Sequence, residues 1–506
     1  MQPPKHPQES TLLATIFLLN AIEFLQAGMI AFGAGPIMGE IGASPEDFTI
    51  ATVVYAVVAI GAIAKQGWFI ERMGWRGFIQ ASVAVFVVGA AICAGSSSFA
   101  QYVTGRAVMG LGGAAFMTSA RLMINLMPPS PRRFLGIKVF ASALAIGNAL
   151  APWLASESIS RERWPAIFWM LALIAVIAAV LGSTCLPTER TPEEQRSGAH
   201  PLVLAVLLGG SFLGLYRLQR ATYDFFADPA PLLAGVAFAI AALLYFVHHQ
   251  SGHTRPLLVL SRLAQARYLS GLALFTLCYM VLGGNNYMLP ALMQRALSYP
   301  WEVIGQVQST GLMMALPAFW LMAMVLKRDP SPKKFYVVGF GALALFGVLL
   351  ARLNSDAALW TDVMPAIAAY GVFIILVMAT TALQAFSALQ QDAQAFAHGQ
   401  QLKNMLSQFG VAFGVASAAL NLQWRSSEHI GVLNRHFDGS DAIFSHSVAQ
   451  LAEQIGSAQG AQLALGQLVQ QLNQQATLLA SQDYFRFIIG FAVVGALVMA
   501  LQRVLK

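Results

Sequence analysis

The sequence predicts an all-α integral membrane protein, and three observations carry that prediction. Of 506 residues, 57% are hydrophobic. Only 10% are charged, against about 25% in ordinary globular chains, so the chain lacks the polar surface of a water-facing body. The apolar residues gather into runs of about 20, the length that crosses a bilayer as a helix. Fourteen such helices would occupy roughly 280 residues, a little over half the chain. This composition excludes a secreted domain, a nucleic-acid-binding module and a disulfide scaffold. Cys93, Cys185 and Cys278 stand far apart within or beside apolar runs, which suits small hydrophobes and not metal ligands.

Apolar runs separated by Pro, Gly and charge place the spans in order. The first six fall at 11–33, 48–69, 77–95, 99–124, 134–155 and 164–186. The first exceeds the apolar core of a signal peptide, and no small-residue cleavage site follows it. Two more are expected at 201–217 and 229–248, then six at 268–290, 302–326, 335–353, 361–389, 402–423 and 484–505.

The basic residues orient the chain. With the N-terminus in the cytoplasm, the inner connections hold Arg72, Arg76, Arg132, Arg133, Arg190, Arg196, Arg255, Arg262, Arg267, Lys327, Arg328, Lys333, Lys334, Lys403, Arg503 and Lys506. Roughly half as many, among them Arg161, Arg295, Arg425, Arg435 and Arg486, fall on the other side. Both termini are therefore expected in the cytoplasm, and the net charge of +7 reads as topology.

Two connections are long. Residues 187–200 are polar, charged and Pro-bearing, as a linker between two halves would be. Three regions follow: 1–186, a six-helix N-half; 187–267, the linker with two extra helices; and 268–506, a six-helix C-half. The C-half includes an outer segment, 424–483, rich in Gln, Ala and Leu, with apolar residues at helical spacing. Gly456, Gly460 and Gly466 interrupt it, so a broken helix or a helical hairpin is expected. It reads either as an amphipathic flap lying on the protein's own surface or at the membrane surface, or as a docking surface for a partner.

Between spans two and three the chain reads Gly67-Trp-Phe-Ile-Glu71-Arg72-Met-Gly74-Trp-Arg76. Glycines there permit a tight turn, and the charges can pair with each other or with a helix end. The stretch resembles the loop motif G-x-x-x-D-R-x-G-R-R of the major facilitator superfamily, with Glu71 in the Asp place and Trp75 replacing one basic residue. The resemblance implies a cytoplasmic gate that locks the two halves together. Span four carries Arg106-Ala-Val-Met-Gly110-Leu-Gly-Gly-Ala-Ala115, similar to that family's R-x-x-Q-G-x-G-A-A, whose Arg is tied to proton coupling. Span five carries Gly147-Asn-Ala-Leu-Ala151-Pro152-Trp-Leu-Ala155-Ser156. It resembles the antiporter motif G-x-x-x-G-P-x-x-G-G, with small residues retained and a Pro kink. The segments Asn285–Gln294 and Asn404–Ala416 look like the EmrB/QacA-type, fourteen-span drug:proton antiporter branch, as does the long outer segment. What the resemblance implies is a major facilitator fold of two six-helix halves plus two linker helices.

An ionisable residue inside a membrane helix usually faces a cavity and a partner. The branch's first-helix Asp is missing here, and Glu23 is the only acid of the first span. It lies roughly 15 Å from the outer end of its span, and Arg106 roughly 10 Å from the outer end of span four, at 1.5 Å per residue. The two can meet at similar depth, as a proton-coupling pair or as a structural one. Gln26 shares a helical face with Glu23 and, with Asn285 and Asn286, is a candidate for lining a substrate cavity. Tyr55, Lys65 and Arg121 read as packing or interfacial residues, and His248, His249 and His253 as solvated.

No P-loop, no H-E-x-x-H and no nucleophile–base constellation is present in the sequence, so neither an enzyme, a metal site nor a cofactor is expected. The resemblance implies a proton-coupled exporter of hydrophobic or amphipathic molecules in a bacterial inner membrane, with the proton as coupling ion. It also implies a periplasmic adaptor and an outer-membrane channel as partners, beside the lipid bilayer. Two alternatives stay open: an exporter dedicated to one metabolite, such as a siderophore or aromatic acid, and a transport-dead sensor or scaffold.

Overall fold

The computed structural model describes residues 6–127, 131–198, 200–253, 256–329, 331–434, 442–455 and 459–505. Arg255, Arg435, Gly456 and Lys506, used above for orientation or as a helix break, lie outside them, as do the side chains of Arg132 and Lys327.

The described residues are helical almost throughout. The first group comprises α1 (His6–Phe32), α2 (Ala34–Ile41), α3 (Pro45–Ala94), α4 (Phe99–Gly113), α5 (Phe116–Met123), α6 (Pro131–Ser160) and α7 (Ala166–Cys185). A pair follows, α8 (Pro201–Ala227) and α9 (Pro229–Gly252), then the short α10 (Leu260–Leu263). The second group comprises α11 (Ala266–Ala291), α12 (Trp301–Met313), α13 (Ala315–Arg328), α14 (Lys333–Ala351), α15 (Met364–Ala385), α16 (Ala393–Asn434), α17 (Ala442–Ile455) and α18 (Gly460–Leu501).

Thirteen helices among the described residues are long and apolar enough to cross a membrane. They match the expected spans one for one, except that spans two and three share α3. That helix has 50 residues, about 75 Å of rise, and is interrupted at Gly74 (φ 74°, ψ 166°). A Cβ at Gly74 would lie 2.8 Å from the Thr188 carbonyl oxygen, so only glycine fits both the backbone and the neighbour. At its start, α3 carries a capping box: Ser44 Oγ accepts from the Asp47 amide while Asp47 Oδ2 accepts from the Ser44 amide, worth about 1 kcal/mol.

Within the first group α1 packs on α6 and α7, and α3 on α4 and α7. Within the second, α11 packs on α16 and α15, and α14 on α15 and α18. The groups meet through α6–α12 and α3–α16, while α8 and α9 pack on each other with α8 against α3 and α16. Large apolar side chains left exposed, such as Leu173, Val180, Leu202, Phe238 and Phe487, face outward as lipid-facing residues do. Below, the inner face is the one predicted cytoplasmic, and the outer face its opposite.

Two sequence expectations change. The membrane helix expected at 402–423 begins at Ala393 and runs on to Asn434. In the outer segment α16 and α18 extend beyond their expected spans, and α17 ends at Ile455 and packs on α18, which starts at Gly460, in keeping with the expected broken or hairpin-like helix. Gly466 differs, lying inside α18 without breaking it. At its base Asp483 Oδ2 accepts from Arg425 Nε and meets His429 Nε2, both at 2.8 Å, and Arg486 Nη1 donates to Asp483 Oδ1 at 2.9 Å.

Candidate functional site

Glu23 and Gln26 stand one turn apart on α1, both buried and on one face. They do not share a partner. Gln408 on α16 donates from Nε2 to Glu23 Oε1, which ties the first helix of one group to the second group. Gln26 Oε1 accepts from Arg106 Nη1 at 3.3 Å, and its Nε2 donates to Tyr55 Oη at 2.5 Å. The Arg106 guanidinium carbon lies 4.2 Å from the centre of the Tyr55 ring. Among the described residues Glu23 and Arg106 form no ion pair; Arg106 bonds Gln26, Glu23 bonds Gln408, and the two charges act on each other only at longer range. Tyr55, read from the sequence as packing, is the third member of this cluster.

Both charges line a small cavity of about 60 Å³, closed by Thr52, Tyr55, Tyr287 and Gln408 among others. It has room for a few water molecules at most. Two larger cavities flank it. The inner one, about 310 Å³, lies between α6 and α13 and shares Met117 and Tyr279 with the small one. The outer one, about 430 Å³, is lined by Glu46, Gln219, Arg295 and Asn473 and shares Tyr287 with it.

Asn285 and Asn286, expected in a cavity, line none of the three. Asn285 is fully buried and its Oδ1 accepts from Tyr484 Oη of α18 at 3.1 Å, a link inside the second group. Asn286 is buried as well.

Lys403, read from the sequence as an inner-face topology marker, is instead buried at the wall of the inner cavity. It lies about ten residues into α16, roughly 15 Å from that helix's start. Its ammonium stands 5.3 Å from the Phe275 ring centre and 5.8 Å from that of Tyr279, within electrostatic reach of Glu23 and Arg121. Arg121, on α5, lines the same cavity beside Phe396. Next to Lys403 on α16, Asn404 Nδ2 donates to Thr118 Oγ1 of α5 at 2.6 Å.

At the inner face, among the described residues, the Gly67–Arg76 loop hydrogen-bonds to the 187–198 connection. Glu71 Oε2 accepts from the amide and the hydroxyl of Ser197, both at 2.7 Å, and its carbonyl accepts from the Thr191 amide. Arg72 Nη2 donates to the Ser197 carbonyl at 3.0 Å and stacks on Trp68. The Arg76 amide donates to the Pro187 carbonyl, and Lys65 Nζ to that of Gly198. The expected lock between halves is thus a clasp on the 187–198 connection. Glu71 and Arg72 themselves lie 3.7 Å apart. A Cβ at Gly67 would come within 3.7 Å of Gln401 Nε2.

Toward the outer face the Gly147–Ser156 stripe does bring the groups together. A Cβ at Gly147 would lie 2.8 Å from the Ala21 carbonyl oxygen, and one at Gly28 would lie 2.6 Å from Ala151 Cβ, so α1 and α6 touch along it. Beyond Pro152, the Trp153 amide donates to Ser309 Oγ of α12 at 2.9 Å. At Gly305 a Cβ would fall 2.0 Å from Ser156 Oγ. Ala151 and Ala155 are fully buried in this contact zone. The halves are closed on each other there, whereas α6 and α13 enclose a cavity at the inner end.

Comparisons with known proteins place this geometry. The chain is 24% identical over 497 residues to the colistin resistance protein EmrB of Acinetobacter baumannii, covering 94% of this chain and 93% of the relative. Among solved structures it is similar in fold to a bacterial homologue of the human lysosomal transporter Spinster, in an inward-facing and unoccupied conformation. The TM-score is 0.60 at 14% identity, covering 98% of each chain. A peptide transporter, POT, matches with a TM-score of 0.61 at 13% identity, covering 100% of this chain and 98% of that one. The Major Facilitator Superfamily model matches residues 16–417, most of the chain, and the protein belongs to that superfamily.

Proposed function

We propose that this transporter is a proton-coupled exporter of hydrophobic or amphipathic small molecules, working by alternating access of residues 1–186 against 268–506. Counting α3 as two spans gives fourteen, with α8 and α9 as the inserted pair and both termini in the cytoplasm of a bacterial inner membrane. The proton is the coupling ion. One observation carries the reading: Glu23, the acid within the apolar stretch of α1, is buried at the junction of the two groups and holds Gln408 of the other one. A charge at that depth is expensive without partners, so gain or loss of a proton there acts directly on an inter-half bond. The closed α6–α12 contact and the inner cavity suit a state that loads from the cytoplasmic side. The likeness to a colistin resistance protein supports efflux.

The α16–α18 arm, with Val432, Leu463, Leu465 and Val469 exposed, is read as the surface that meets a periplasmic adaptor and, through it, an outer-membrane channel.

The test is substrate-induced proton movement in everted vesicles, wild type beside Glu23→Gln and Arg106→Ala, with cationic dyes, uncouplers and aromatic acids. Wild type is expected to release protons from the vesicle lumen with substrate uptake, and Glu23→Gln to lose that response while retaining downhill substrate flux. A response that survives Glu23→Gln overturns the coupling assignment. No response to any compound overturns the multidrug reading.

A further inference from the structure

We propose that the 310 Å³ inner cavity is a binding site for an anionic amphiphile, a molecule with one acidic head and an extended apolar body. The inference rests on the transport reading for its purpose, not for its occupancy.

The charge census of the cavity is one-sided. Its lining carries Arg121, Lys138 and Lys403, and no Asp or Glu. Among the described residues none of the three cations has a carboxylate partner. Each instead faces an aromatic ring: Phe396 for Arg121, Phe134 for Lys138, and Phe275 with Tyr279 for Lys403. A cation over a ring gains roughly 0.5–2 kcal/mol, while withdrawing an ammonium from water costs several kcal/mol. Lys403 is 6% exposed, and beyond its ring contacts and the more distant Glu23 it has no carboxylate in direct contact among the described residues. An anionic head between Lys403 and Arg121 supplies the missing partner through charge-assisted hydrogen bonds. A cationic guest would meet like charge on three sides.

The rest of the wall selects the body. Phe319, Trp320, Met322, Ile375 and Leu383 are apolar, and methionine adapts to varied shapes. The cavity lies in the size range of small-molecule sites. Phe134, Trp320 and Met324 line it and are also among the exposed large apolar side chains. Trp320 stands eight residues, roughly 12 Å, from the inner end of α13. The opening therefore reaches into the inner half of the membrane, where an amphiphile resides.

The test is equilibrium binding to the full chain in phosphatidylcholine nanodiscs, with empty discs subtracted and no gradient applied. The probes are 11-(dansylamino)undecanoic acid, its methyl ester and the chain-matched amine. The acid is expected to bind saturably and about tenfold or more tighter than either analogue, the scale of one charge-assisted hydrogen bond. Lys403→Gln should remove that preference without weakening the ester, and Lys403→Arg should restore it. Should Lys403→Gln fail to fold, Lys138→Gln, half-buried at the rim, gives the same sign with a smaller loss. Adding phosphatidylglycerol separates the sources: competition identifies an anionic lipid as the occupant, and its absence a free acid; both support the site. Equal binding of acid and amine, or an unchanged acid preference in Lys403→Gln and Lys138→Gln, overturns it. Acid binding without any proton response would sink the exporter reading and leave the site standing; the reverse result would do the opposite.

Discussion

Gln26 decides how two buried charges coexist on neighbouring helices. Its carbonyl takes Arg106 and its amide takes Tyr55, so the guanidinium has a hydrogen-bond acceptor other than Glu23, whose own partner is Gln408. Removing the amide leaves a buried cation short of an acceptor, a loss of about 1–3 kcal/mol. Gln26→Ala is expected to lower the thermal unfolding midpoint in detergent, followed by tryptophan fluorescence, while Gln26→Glu keeps an acceptor for Arg106 and stays near wild type. A midpoint unmoved by Gln26→Ala would mean that Tyr55 alone holds Arg106. Glu23, Arg106 and Gln26 were legible in the sequence because polar groups inside apolar runs stand out. Lys403 was not. The polar residues Gln394, His398, Gln400 and Gln401 mask the first turns of α16, so hydropathy starts the helix too late and leaves Lys403 at its mouth. Asn285 and Asn286 misled for another reason. Adjacent residues point about 100° apart on a helix, and the partner of Asn285, Tyr484, lies 199 positions along the chain.

At the level of elements, the turn inside α3 was readable and its partner was not. Glycine and charge at Gly67–Arg76 announce a tight connection, but a connection's partner depends on where the following helices carry residues 187–198. That partner is the chain's own linker, clasped by Glu71, Arg72 and the Arg76 amide. Gly74 makes the clasp possible. An alanine there would adopt a left-handed φ at a cost of roughly 1–2 kcal/mol and press its Cβ on Thr188. Gly74→Ala is expected to loosen the linker, read as faster trypsin cleavage after Arg190 and Arg196, with Gly341→Ala, whose Cβ meets nothing, cleaved at the wild-type rate. Equal rates in the two variants would remove the linker from the clasp. In the outer arm only the expected break at Gly466 fails. Glycine costs only about 1 kcal/mol in a helix, and Gly466 sits within a 42-residue helix whose cooperativity outweighs it.

Across the whole molecule, three of the cavities lie in sequence along the seam between the helix groups, and neighbouring ones share one or two lining side chains. Tyr287 lines both the outer and the central cavity; Met117 and Tyr279 line both the central and the inner one. Tyr279 Oη meets Met117 Sδ at 3.9 Å, so a tyrosine of α11 and a methionine of α5 form a partition that spans the two groups. A coupled exporter needs such a wall. If the central acid communicated with both faces at once, protons would cross without substrate. The ring of Tyr279, and not its hydroxyl, supplies the bulk of the wall. Tyr279→Ala is therefore expected to join the central and inner cavities and open a substrate-independent proton leak, while Tyr279→Phe keeps the barrier. Proteoliposomes loaded with a pH dye and given an external acid jump read this directly, as faster internal acidification in Tyr279→Ala than in wild type or Tyr279→Phe. A leak that also vanishes in the Glu23→Gln, Tyr279→Ala double variant would place the acid on the leak path. A tight Tyr279→Ala protein would move the barrier to Tyr287, on the outer side of Glu23.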